Sequence, residues 1–356
     1  MASSVHSTCP LVSVLVQTYN AANYLPQLCR SIQSQTYRHF EALILDDGST
    51  DATRSVLAPF ESDPRFRVFG WDKNRGVAAG LRELLRQGRG AYWTLPGADD
   101  VLFPDFLEQR LAWMNERPQA AFIHGPSEII DEMGQAISNP FAQLQCPAKL
   151  EAGRALRLVL QHNIVRTPSI MIRYDLTRQI LPYYLCDWKY AQDWHLWILL
   201  MAAGSDVLWD ERPLVQYRVH SASLSSDNRL GALREAELRL VPLCALRSAA
   251  QYSRSAAEEW ARWGTTLYRL WLMRSLKLRF RGALRKEWLE LARQAYYGSL
   301  PHHYGQIREV WRHGVGMVLA TLKQRQAIKG QSFRVSGLAE MDDPLFRAAP
   351  SLTVAA

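Results

Sequence analysis

The stretch VSVLVQTYNAANYLPQLCRSIQSQTYRHFEALILDDGSTDAT, residues 12–53, decides the fold. It opens on an apolar run rich in β-branched residues that ends in polar Gln-Thr-Tyr-Asn, a pattern typical of a buried strand. Leu25, Leu28 and Ile32 follow with helical spacing. The segment FEALILDD then predicts a second strand, and the Ser-Thr-Asp of residues 49–51 supplies N-cap candidates for the next helix. The stretch therefore predicts one strand–helix–strand unit of an α/β fold.

The same alternation continues along the chain. Further strands are predicted in RFRVFGWD, AYWTL, AAFIHG, SIMIRYDL and DVLWDERPLVQYRVH, and further helices in GVAAGLRELLRQGRG, FPDFLEQRLAWMNERP and QDWHLWILLMAAG, with a loop in ISNPFAQLQCPAKL. This order favours a Rossmann-like, mostly parallel sheet with helices on both faces. Ligands of such sheets bind beyond the carboxyl ends of the strands. We therefore expect three polar clusters that follow predicted strands to converge on one edge: residues 17–20, 46–47 and 99–100.

The composition is that of a globular protein with a large core. Of the 356 residues, 48% are hydrophobic and 21% charged, and the usual domain size gives about two domains. The net charge of +8 favours anionic partners: nucleotides, nucleic acid or an anionic membrane surface. Five cysteines without C-x-x-C spacing predict reduced thiols in a cytosolic protein. The sequence predicts neither a signal peptide nor a membrane span.

The acidic pair that ends TLPGADD, residues 94–100, is the first candidate for chemistry. A turn or N-cap role is the plain alternative, because Asp favours both. Adjacent carboxylates repel each other, and a divalent ion would relieve that repulsion. Mg²⁺ and Mn²⁺ bind few carboxylates and take their other ligands from phosphates. Asp99 and Asp100 therefore point to a divalent metal that attracts a diphosphate.

At this point the sequence resembles a known family. The stretch 12–53 looks like the opening of family 2 glycosyltransferases with the GT-A fold, and the resemblance runs on through NRGVAAG, RGAYWTLPGADD, QDWHLW and PLVQYRVHSASLS. It covers roughly residues 9–226. The resemblance implies an inverting, metal-dependent transfer, of the hexosyltransferase type, from a nucleotide-diphospho-sugar to a hydroxyl acceptor. It implies UDP as the nucleotide and bacterial-type surface glycan or polysaccharide synthesis as the setting.

The resemblance also implies roles for matching positions on the nucleotide side. Tyr19 would flank the base, and Asp47 would accept a hydrogen bond from it, a role that suits an ionised carboxylate because it only accepts. Gln17 and Asp46 would support these two residues. Asp99 would face the ribose or the ion.

On the diphosphate side, Asp100 would bind Mn²⁺ or Mg²⁺ directly, and the metal would neutralise the leaving nucleoside diphosphate. His220 matches a position that lies near the metal or diphosphate in several relatives, and a structural histidine is the alternative. Arg218 would pair with phosphate, or else with a nearby acid. Arg166 and Arg173 are weaker candidates on the acceptor side.

Asp193, in AQDWHLW, matches the family's catalytic base at the start of a helix. It would take the proton from an acceptor hydroxyl as that oxygen attacks the anomeric carbon. The alternative is a helix N-terminal Asp favoured by the macrodipole. The dipole alone would lower the pKa of Asp193, and burial near Trp194 or Trp197 would offset this.

Two positions depart from the family pattern. Gly97 stands where relatives often have a third acid, so we expect the ion to have fewer protein contacts. In the helix GVAAGLRE, Arg82 lies one position from the family's arginine, so no phosphate role is assigned to it.

The C-terminal part differs in composition from the rest. We divide the chain into a catalytic domain (9–226), a helical region that is basic and aromatic (227–330), and a loose tail (331–356). Residues 266–290 mix aromatic and aliphatic side chains with cations. Peripheral membrane contact, which would suit a lipid-linked acceptor, and an ordinary helical subdomain with a basic face both stay open.

The sequence therefore predicts a cytoplasmic glycosyltransferase that acts on a glycan or lipid-linked acceptor, and peripheral attachment to the inner membrane face stays open. The alternative is a non-catalytic protein that keeps the fold and binds nucleotide-sugar or serves as a scaffold. Nucleic-acid binding is suggested only by the charge, and no recognised nucleic-acid motif supports it.

Overall fold

The computed structural model describes residues 9–138, 149–161, 163–184, 188–221, 223 and 231–261. The strands are β1 (Val12–Thr18), β2 (Phe40–Asp46), β3 (Phe66–Gly70), β4 (Tyr92–Thr94), β5 (Val101–Leu102), β6 (Ala120–His124), β7 (Glu128–Ile130), β8 (Ala136–Ile137), β9 (Lys149–Leu150), β10 (Met171–Arg173), β11 (Asp206–Trp209) and β12 (Val215–Arg218). The helices are α1 (Leu25–Gln33), α2 (Thr53–Leu57), α3 (Val77–Gln87), α4 (Phe106–Glu116), α5 (Ala152–Gln161), α6 (Tyr174–Ile180), α7 (Gln192–Ala202) and α8 (Gly231–Ala249). Short 3-10 turns occupy Ala58–Ser62, Thr167–Ser169 and Leu181–Tyr183, and residues 254–261 are helical.

Within these residues, eight strands form the main sheet, in the order β3-β2-β1-β4-β10-β6-β11-β9. Strands β3, β2, β1 and β4 run parallel, as does the pair β6 and β11. Strands β10 and β9 are antiparallel to their neighbours. The predicted α/β architecture, a mostly parallel sheet flanked by helices, is therefore confirmed.

Strand β10 has an unusual position, because it separates the two parallel groups while running against both. Ile172 pairs with Trp93 of β4 and with Phe122 of β6. The start of β10 therefore lies at the edge where β4 and β6 end. The 3-10 turn Thr167–Ser169, which precedes β10, is thereby brought to the carboxyl edge of the parallel strands.

A smaller sheet, in the order β5-β12-β7-β8, lies beyond the same edge. Strand β4 ends at Thr94 in the main sheet, and β5 begins at Val101 in the small one. The segment that contains Asp99 and Asp100 is therefore the crossover between the two sheets.

Two hydrophobic clusters form the core. One cluster joins β1, α1, α4 and β12, and contains Val14, Leu28, Phe106 and Val215. The other joins α3, α5, α7 and α8 to the opposite face of the sheet. Strand β1 supplies side chains to both clusters, as the near-continuous apolar run of a parallel strand covered on both faces requires.

Two local predictions are corrected by the structure. Helix α2 begins at Thr53 with Ala52 at the cap, and Asp51 of the Ser-Thr-Asp candidates contributes by accepting a hydrogen bond from the Thr53 N–H (2.9 Å). The segment SIMIRYDL is a strand only over Met171–Arg173. Tyr174 already begins α6, because its buried side chain lies over the end of α3 and its N–H donates to the Ala91 carbonyl at 2.9 Å.

The proposed domain division stays a prediction. Helix α8 begins the predicted helical region, and it packs on α7 of the catalytic domain in a shared core cluster. The remainder of that region, including residues 266–290, and the predicted tail 331–356 lie outside the described residues, as do residues 139–148 of the predicted loop. None of the helices in the described ranges has the length and apolar character needed to cross a membrane.

Gly90, beside the start of β4, tests how tightly β1 and β4 approach. A Cβ there would lie 2.5 Å from the Tyr92 carbonyl oxygen and 2.8 Å from both the Leu11 oxygen and the Ser13 nitrogen. Since these are backbone atoms, Gly90→Ala should lower the free energy of unfolding by about 1–3 kcal/mol. The control Gly153→Ala, exposed in α5, should raise it by about 0.5–1 kcal/mol through helix propensity. Urea denaturation measures both, and a neutral Gly90→Ala would contradict the packing described.

Candidate functional site

Asp47 is the centre of a hydrogen-bonded cradle at the carboxyl end of β2. Its side chain is 1% exposed and accepts hydrogen bonds from the backbone N–H of Arg75 (2.7 Å) and Gly76 (3.0 Å). The amide of Gln17 donates a third bond (3.1 Å) and a further one to the Gly76 carbonyl (3.2 Å). Oδ1 of Asp47 carries one of these bonds and retains capacity for another. The cradle fixes the loop before α3 against the ends of β1 and β2.

The neighbouring loops are cross-linked through Asn20. This residue has a left-handed backbone (φ 51°), and its side-chain oxygen accepts from the Thr50 N–H at 2.8 Å, while its own N–H donates to Ser49 Oγ at 2.9 Å. Gly48 also has a positive φ (72°), and a Cβ there would lie 2.5 Å from the Lys73 carbonyl carbon, so only glycine fits without strain. The ends of β1 and β2 are therefore held in one arrangement.

The other predicted nucleotide-side residues lie around this cradle. Asp46 is buried, and its Oδ1 accepts from the Ser49 N–H at 3.0 Å. Tyr19 is 48% exposed, which leaves its ring open to a ligand. The side chain of Arg75, which belongs to the loop before α3, lies over the Trp71 ring, with 4.6 Å between the guanidinium carbon and the ring centroid. The family resemblance includes this loop, in NRGVAAG, but it assigned no role to the loop N–H groups, which donate two of the three hydrogen bonds to Asp47.

The acidic pair has an unequal environment. Asp100 is 1% exposed and closes its own turn, since its carboxylate accepts from the N–H of Gly97 (2.7 Å) and of Arg218 (3.3 Å). Burial and the neighbouring charge of Asp99 raise the pKa of Asp100 well above that of an ordinary aspartate. The Asp99 side chain is 25% exposed. Asp99 therefore presents the more accessible carboxylate, and Asp100 shapes the turn.

Glycine at position 97 avoids close contacts with the two carboxylates of the acidic turn. A Cβ at this position would lie 2.7 Å from Asp99 Oδ1 and 2.8 Å from Asp100 Oδ2. The space that a third acid would need is thus occupied by the two acids that are present. A side chain at position 97 would therefore require the carboxylates of Asp99 and Asp100 to move.

Arg218 is a buried clamp between the two sheets. It is 2% exposed, and its guanidinium donates to the backbone oxygens of Asp99 (2.9 Å), Asp131 (3.0 Å) and Glu132 (3.2 Å). A further bond goes to Gln27 Oε1 in α1 at 2.7 Å. These bonds favour a role in positioning the acidic turn over the predicted pairing with phosphate.

His220 connects the acidic turn to α1. Its Nε2 lies 2.9 Å from Asp99 Oδ2, and its ring lies against Tyr24 with 4.6 Å between ring centroids. The hydroxyl of Tyr24 donates to Glu132 Oε1 at 3.1 Å. Nδ1 of His220 is buried without a hydrogen-bond partner. His220 thus orients Asp99 through Nε2, while its Nδ1 makes no hydrogen bond.

Asp193 begins the first turn of α7 and is partly buried. Its Oδ2 accepts a hydrogen bond from Thr167 Oγ1 at 2.7 Å, and its Oδ1 accepts from the Trp194 N–H at 2.6 Å. Burial raises the pKa of Asp193, and the hydrogen bonds from Thr167, Trp194 and Asn163 oppose the rise. Since the turn Thr167–Ser169 lies at the carboxyl edge of β4 and β6, Asp193 is at the same edge as the acidic turn.

A buried ion pair between Arg110 and Asp210 holds the turn Thr167–Ser169 in place. Arg110 is fully buried, and it donates to Asp210 Oδ2 at 2.8 Å and to the Ser169 carbonyl at 3.1 Å. Desolvation lowers the pKa of Arg110 to about 10, so the guanidinium keeps its charge at neutral pH. Ser169 Oγ in turn donates to the Gly125 carbonyl at 2.8 Å. The turn that holds Asp193 is therefore fixed to both α4 and the end of β6.

The structure thus brings the predicted residues to one edge in three groups. Gln17, Asp46 and Asp47 form the cradle with Tyr19 beside it, Asp99, Asp100, Arg218 and His220 form the acidic turn, and Asp193 stands on α7. Arg173 instead lies inside the fold, where it donates to backbone oxygens of Ala120 and Met114. Sequence reasoning missed Thr167 and Gln27, whose partners are distant in sequence and leave no local signal.

The residues of the acidic turn fit a divalent ion. Two adjacent carboxylates lie there, with His220 Nε2 on one of them, and a cation would offset the burial and the Asp99 charge that raise the pKa of Asp100. Across the described part of the chain, no three His, Cys, Asp or Glu side chains form a complete metal site. Such a partial set suits Mg²⁺ or Mn²⁺, which complete their coordination with water and phosphate.

Comparison with known proteins finds relatives among glycosyltransferases. A family model described as Glycosyl transferase family 2 matches residues 13–173. The putative teichuronic acid biosynthesis glycosyltransferase TuaG of Bacillus subtilis (strain 168) is 30% identical over 220 residues, which cover 61% of this chain and 82% of that protein. An uncharacterized glycosyltransferase of Haemophilus influenzae is 28% identical over 231 residues, 61% of this chain and 68% of that one.

Among solved structures, S. aureus TarS 1–349 in complex with UDP is similar over 85% of this chain and 91% of that chain, with a TM-score of 0.53 and 16% identity. The same TarS fragment in complex with UDP-GlcNAc gives a TM-score of 0.51 over 85% and 92% of the two chains, also at 16% identity. At this identity the similarity is one of fold, and it confirms the predicted GT-A architecture.

The geometry of the acidic turn predicts that an acid at position 97 weakens both ligand binding and stability. If the turn holds a divalent ion and UDP, as proposed below, Gly97→Asp should weaken Mn²⁺-dependent UDP binding at least several-fold, because the new Cβ displaces the carboxylates of Asp99 and Asp100. Gly97→Ala, which adds the Cβ without the charge, should weaken it by a similar factor, and both variants should unfold at lower urea concentration. Calorimetric titration measures the affinity. Tighter binding by Gly97→Asp would show that the turn yields to a third ligand.

Proposed function

The chain belongs to glycosyl transferase family 2, and we propose that it transfers a sugar from a nucleotide-diphospho-sugar to a hydroxyl group of an acceptor, with inversion at the anomeric carbon. One observation carries the proposal: an aspartate that begins a helix, Asp193, is held by Thr167 at the sheet edge that also carries the acidic turn. A proton acceptor and a diphosphate-binding turn at one edge are what such a displacement requires.

The donor nucleotide is assigned to the cradle. The exposed ring of Tyr19 provides a face for the base, and the remaining acceptor capacity of Asp47 suits a base N–H. Two backbone N–H groups and Gln17 already orient the carboxylate of Asp47. Asp46 supports the same loop.

The diphosphate and its divalent ion are assigned to the acidic turn. The family resemblance implies that Asp100 binds the ion directly. We assign the first contact to Asp99 instead, because its carboxylate is accessible and oriented by His220, while that of Asp100 is buried and hydrogen-bonded within the turn. When bound, the metal supplies Lewis-acid stabilisation of the departing nucleoside diphosphate. The chain's own contribution is the fixed turn, which Arg218 clamps to the small sheet and to α1.

Asp193 is assigned the proton transfer. Its carboxylate would accept the proton of the acceptor hydroxyl while that oxygen attacks the anomeric carbon opposite the leaving diphosphate. Burial raises the pKa of Asp193, which makes it a stronger base than an exposed aspartate, while the Thr167 hydroxyl fixes its orientation. The attack from the opposite side gives inversion.

The acceptor is assigned by class. The relative TuaG is described as acting in teichuronic acid biosynthesis, which supports a surface glycan, free or lipid-linked, as the acceptor. The TarS complexes make UDP and UDP-GlcNAc the first ligands to test. The proposed peripheral membrane contact through residues 266–290, on the inner face of a cytoplasmic membrane, lies outside the described residues.

A panel of UDP- and GDP-sugars with Mn²⁺, assayed for release of nucleoside diphosphate, tests the proposal. UDP and Mn²⁺ titration distinguishes it from a non-catalytic nucleotide-sugar-binding protein, which would bind the nucleotide and release nothing. A protein that neither binds nor turns over any nucleotide would contradict both assignments.

Asp193→Asn should lower kcat by roughly 10²–10⁴-fold, because the amide cannot accept the proton. UDP affinity should stay within a factor of about two, since Asp193 belongs to another group of the site. The matched control is Asp175→Asn, which removes an exposed aspartate from the first turn of α6. Full turnover by Asp193→Asn would remove the base assignment.

The acidic limb of the pH profile should report the Thr167 hydrogen bond. The base must be deprotonated, so kcat/KM rises with pH through the pKa of Asp193, which burial places above the ordinary value. Thr167→Val removes a donor that lowers this pKa, so the limb should move to higher pH. Thr167→Ser keeps the hydroxyl and should leave the limb in place. A limb that stays fixed or moves to lower pH in the valine variant contradicts this account.

A further inference from the structure

Helix α7 begins without a cap from its own segment. Its N-cap residue is Ala191, whose side chain cannot accept a hydrogen bond, and Asp193 Oδ1 accepts from the adjacent Trp194 N–H. The N–H groups at a helix start need acceptors, above all when they are buried. The start of α7 carries Asp193, so contacts that hold the residues just before the helix also bear on the position of the proposed base.

Glu237 of α8 holds the segment that leads into α7, up to the N-cap residue Ala191. Its carboxylate accepts hydrogen bonds from the backbone N–H of Lys189 (2.9 Å), Tyr190 (2.6 Å) and Ala191 (3.2 Å). Glu237 is 1% exposed. A buried carboxylate that gathers three consecutive N–H groups is a strong, charge-assisted contact, because both oxygens have fixed donors.

The charge of Glu237 suits this position. The N-terminal end of a helix carries partial positive charge, which an anion stabilises. Burial raises the pKa of Glu237, while the three N–H donors and the nearby ammonium of Lys189 oppose the rise. Inside a low-dielectric interior, an anion held by three dipoles resists displacement more than a neutral acceptor would.

The far end of α7 is bound by the same part of the chain. The hydroxyl of Tyr252, just after α8, donates to the Leu199 carbonyl at 2.5 Å, and Ser253 Oγ donates to the Ala202 carbonyl. Between these contacts, Val241 and Leu246 of α8 share the core cluster that α7 fills. Segment 231–253 therefore holds α7 at both ends and along its side.

From these contacts we infer that Glu237 is a positioning residue for sugar transfer: by anchoring residues 189–191 it fixes the start of α7 and, through it, the carboxylate of Asp193. The inference rests on the proposed function for the role of Asp193. It implies that α8 contributes to the geometry of the site. Glu237 itself touches no reacting atom. Its effect is on the geometry of the base, so it acts on kcat and not on nucleotide affinity.

The test compares two variants. Each removes hydrogen bonds that join segment 231–253 to α7 or to the residues just before it. Glu237→Gln keeps the size of the side chain, but its NH₂ group faces N–H donors and cannot accept from them. Tyr252→Phe removes one hydroxyl bond at the opposite end of α7. We expect Glu237→Gln to lower kcat for nucleoside diphosphate release by roughly 10- to 100-fold, the usual consequence of a small misplacement of a catalytic group. Donor KM and the UDP dissociation constant should not change, and Tyr252→Phe should keep kcat within about twofold.

Equal losses of kcat in the two variants, or an unchanged kcat in Glu237→Gln, would overturn the inference. If Glu237→Gln does not fold, Glu237→Asp, which keeps the charge and shortens the reach, takes its place with the same expectation. Hydrogen exchange separates this inference from the proposed function, because it needs no substrate. Amide protons of residues 189–195 should exchange faster in the Glu237 variant and not in Tyr252→Phe, and unchanged protection would overturn the anchoring role even in a protein that turns over no donor.

Discussion

The reversed direction of β10 is the constraint on which the site depends. A parallel strand in its place would begin at the amino edge of the sheet, and the turn Thr167–Ser169 would lie far from the acidic turn. Because β10 pairs antiparallel with both β4 and β6, the residues that precede it reach the carboxyl edge. Arg110 and Ser169 then fix the turn to the end of β6, and Thr167 meets Asp193. Sheet topology thereby unites residues that the chain keeps apart.

A common device holds the buried acids of this edge. Asp47, Asp100 and Glu237 are each almost fully buried, and each accepts from two or more backbone N–H groups. Removing a carboxylate from water is costly, and fixed backbone donors offset that cost while they order the loop that supplies them. The acids therefore determine the shape of the edge as much as its charge. Asp99 is the exception, with an accessible carboxylate that is oriented by His220.

The sequence predicted the parts of the structure whose signals are local. The strands and helices of residues 12–53 follow from apolar spacing, and the acidic clusters lie at strand ends as expected. The pairing of Thr167 with Asp193 could not be predicted, since it spans 26 positions and depends on β10. Nor could the unequal exposure of Asp99 and Asp100, which is set by the path of the turn. Gly97 shows the same limit, because its steric role exists only once both carboxylates are in place.

The burial of α7 explains why α8 packs beside the site. Every residue from Trp194 to Ala202 is buried, so the helix is apolar on all sides and must be covered on all sides. The main sheet and α5 leave one flank, and α8 fills it with Val241, Ala245 and Leu246. A helix whose start carries the proposed base therefore owes its burial to a segment outside the matched residues 13–173. Glu237 also lies on α8, and it accepts hydrogen bonds from the residues just before α7.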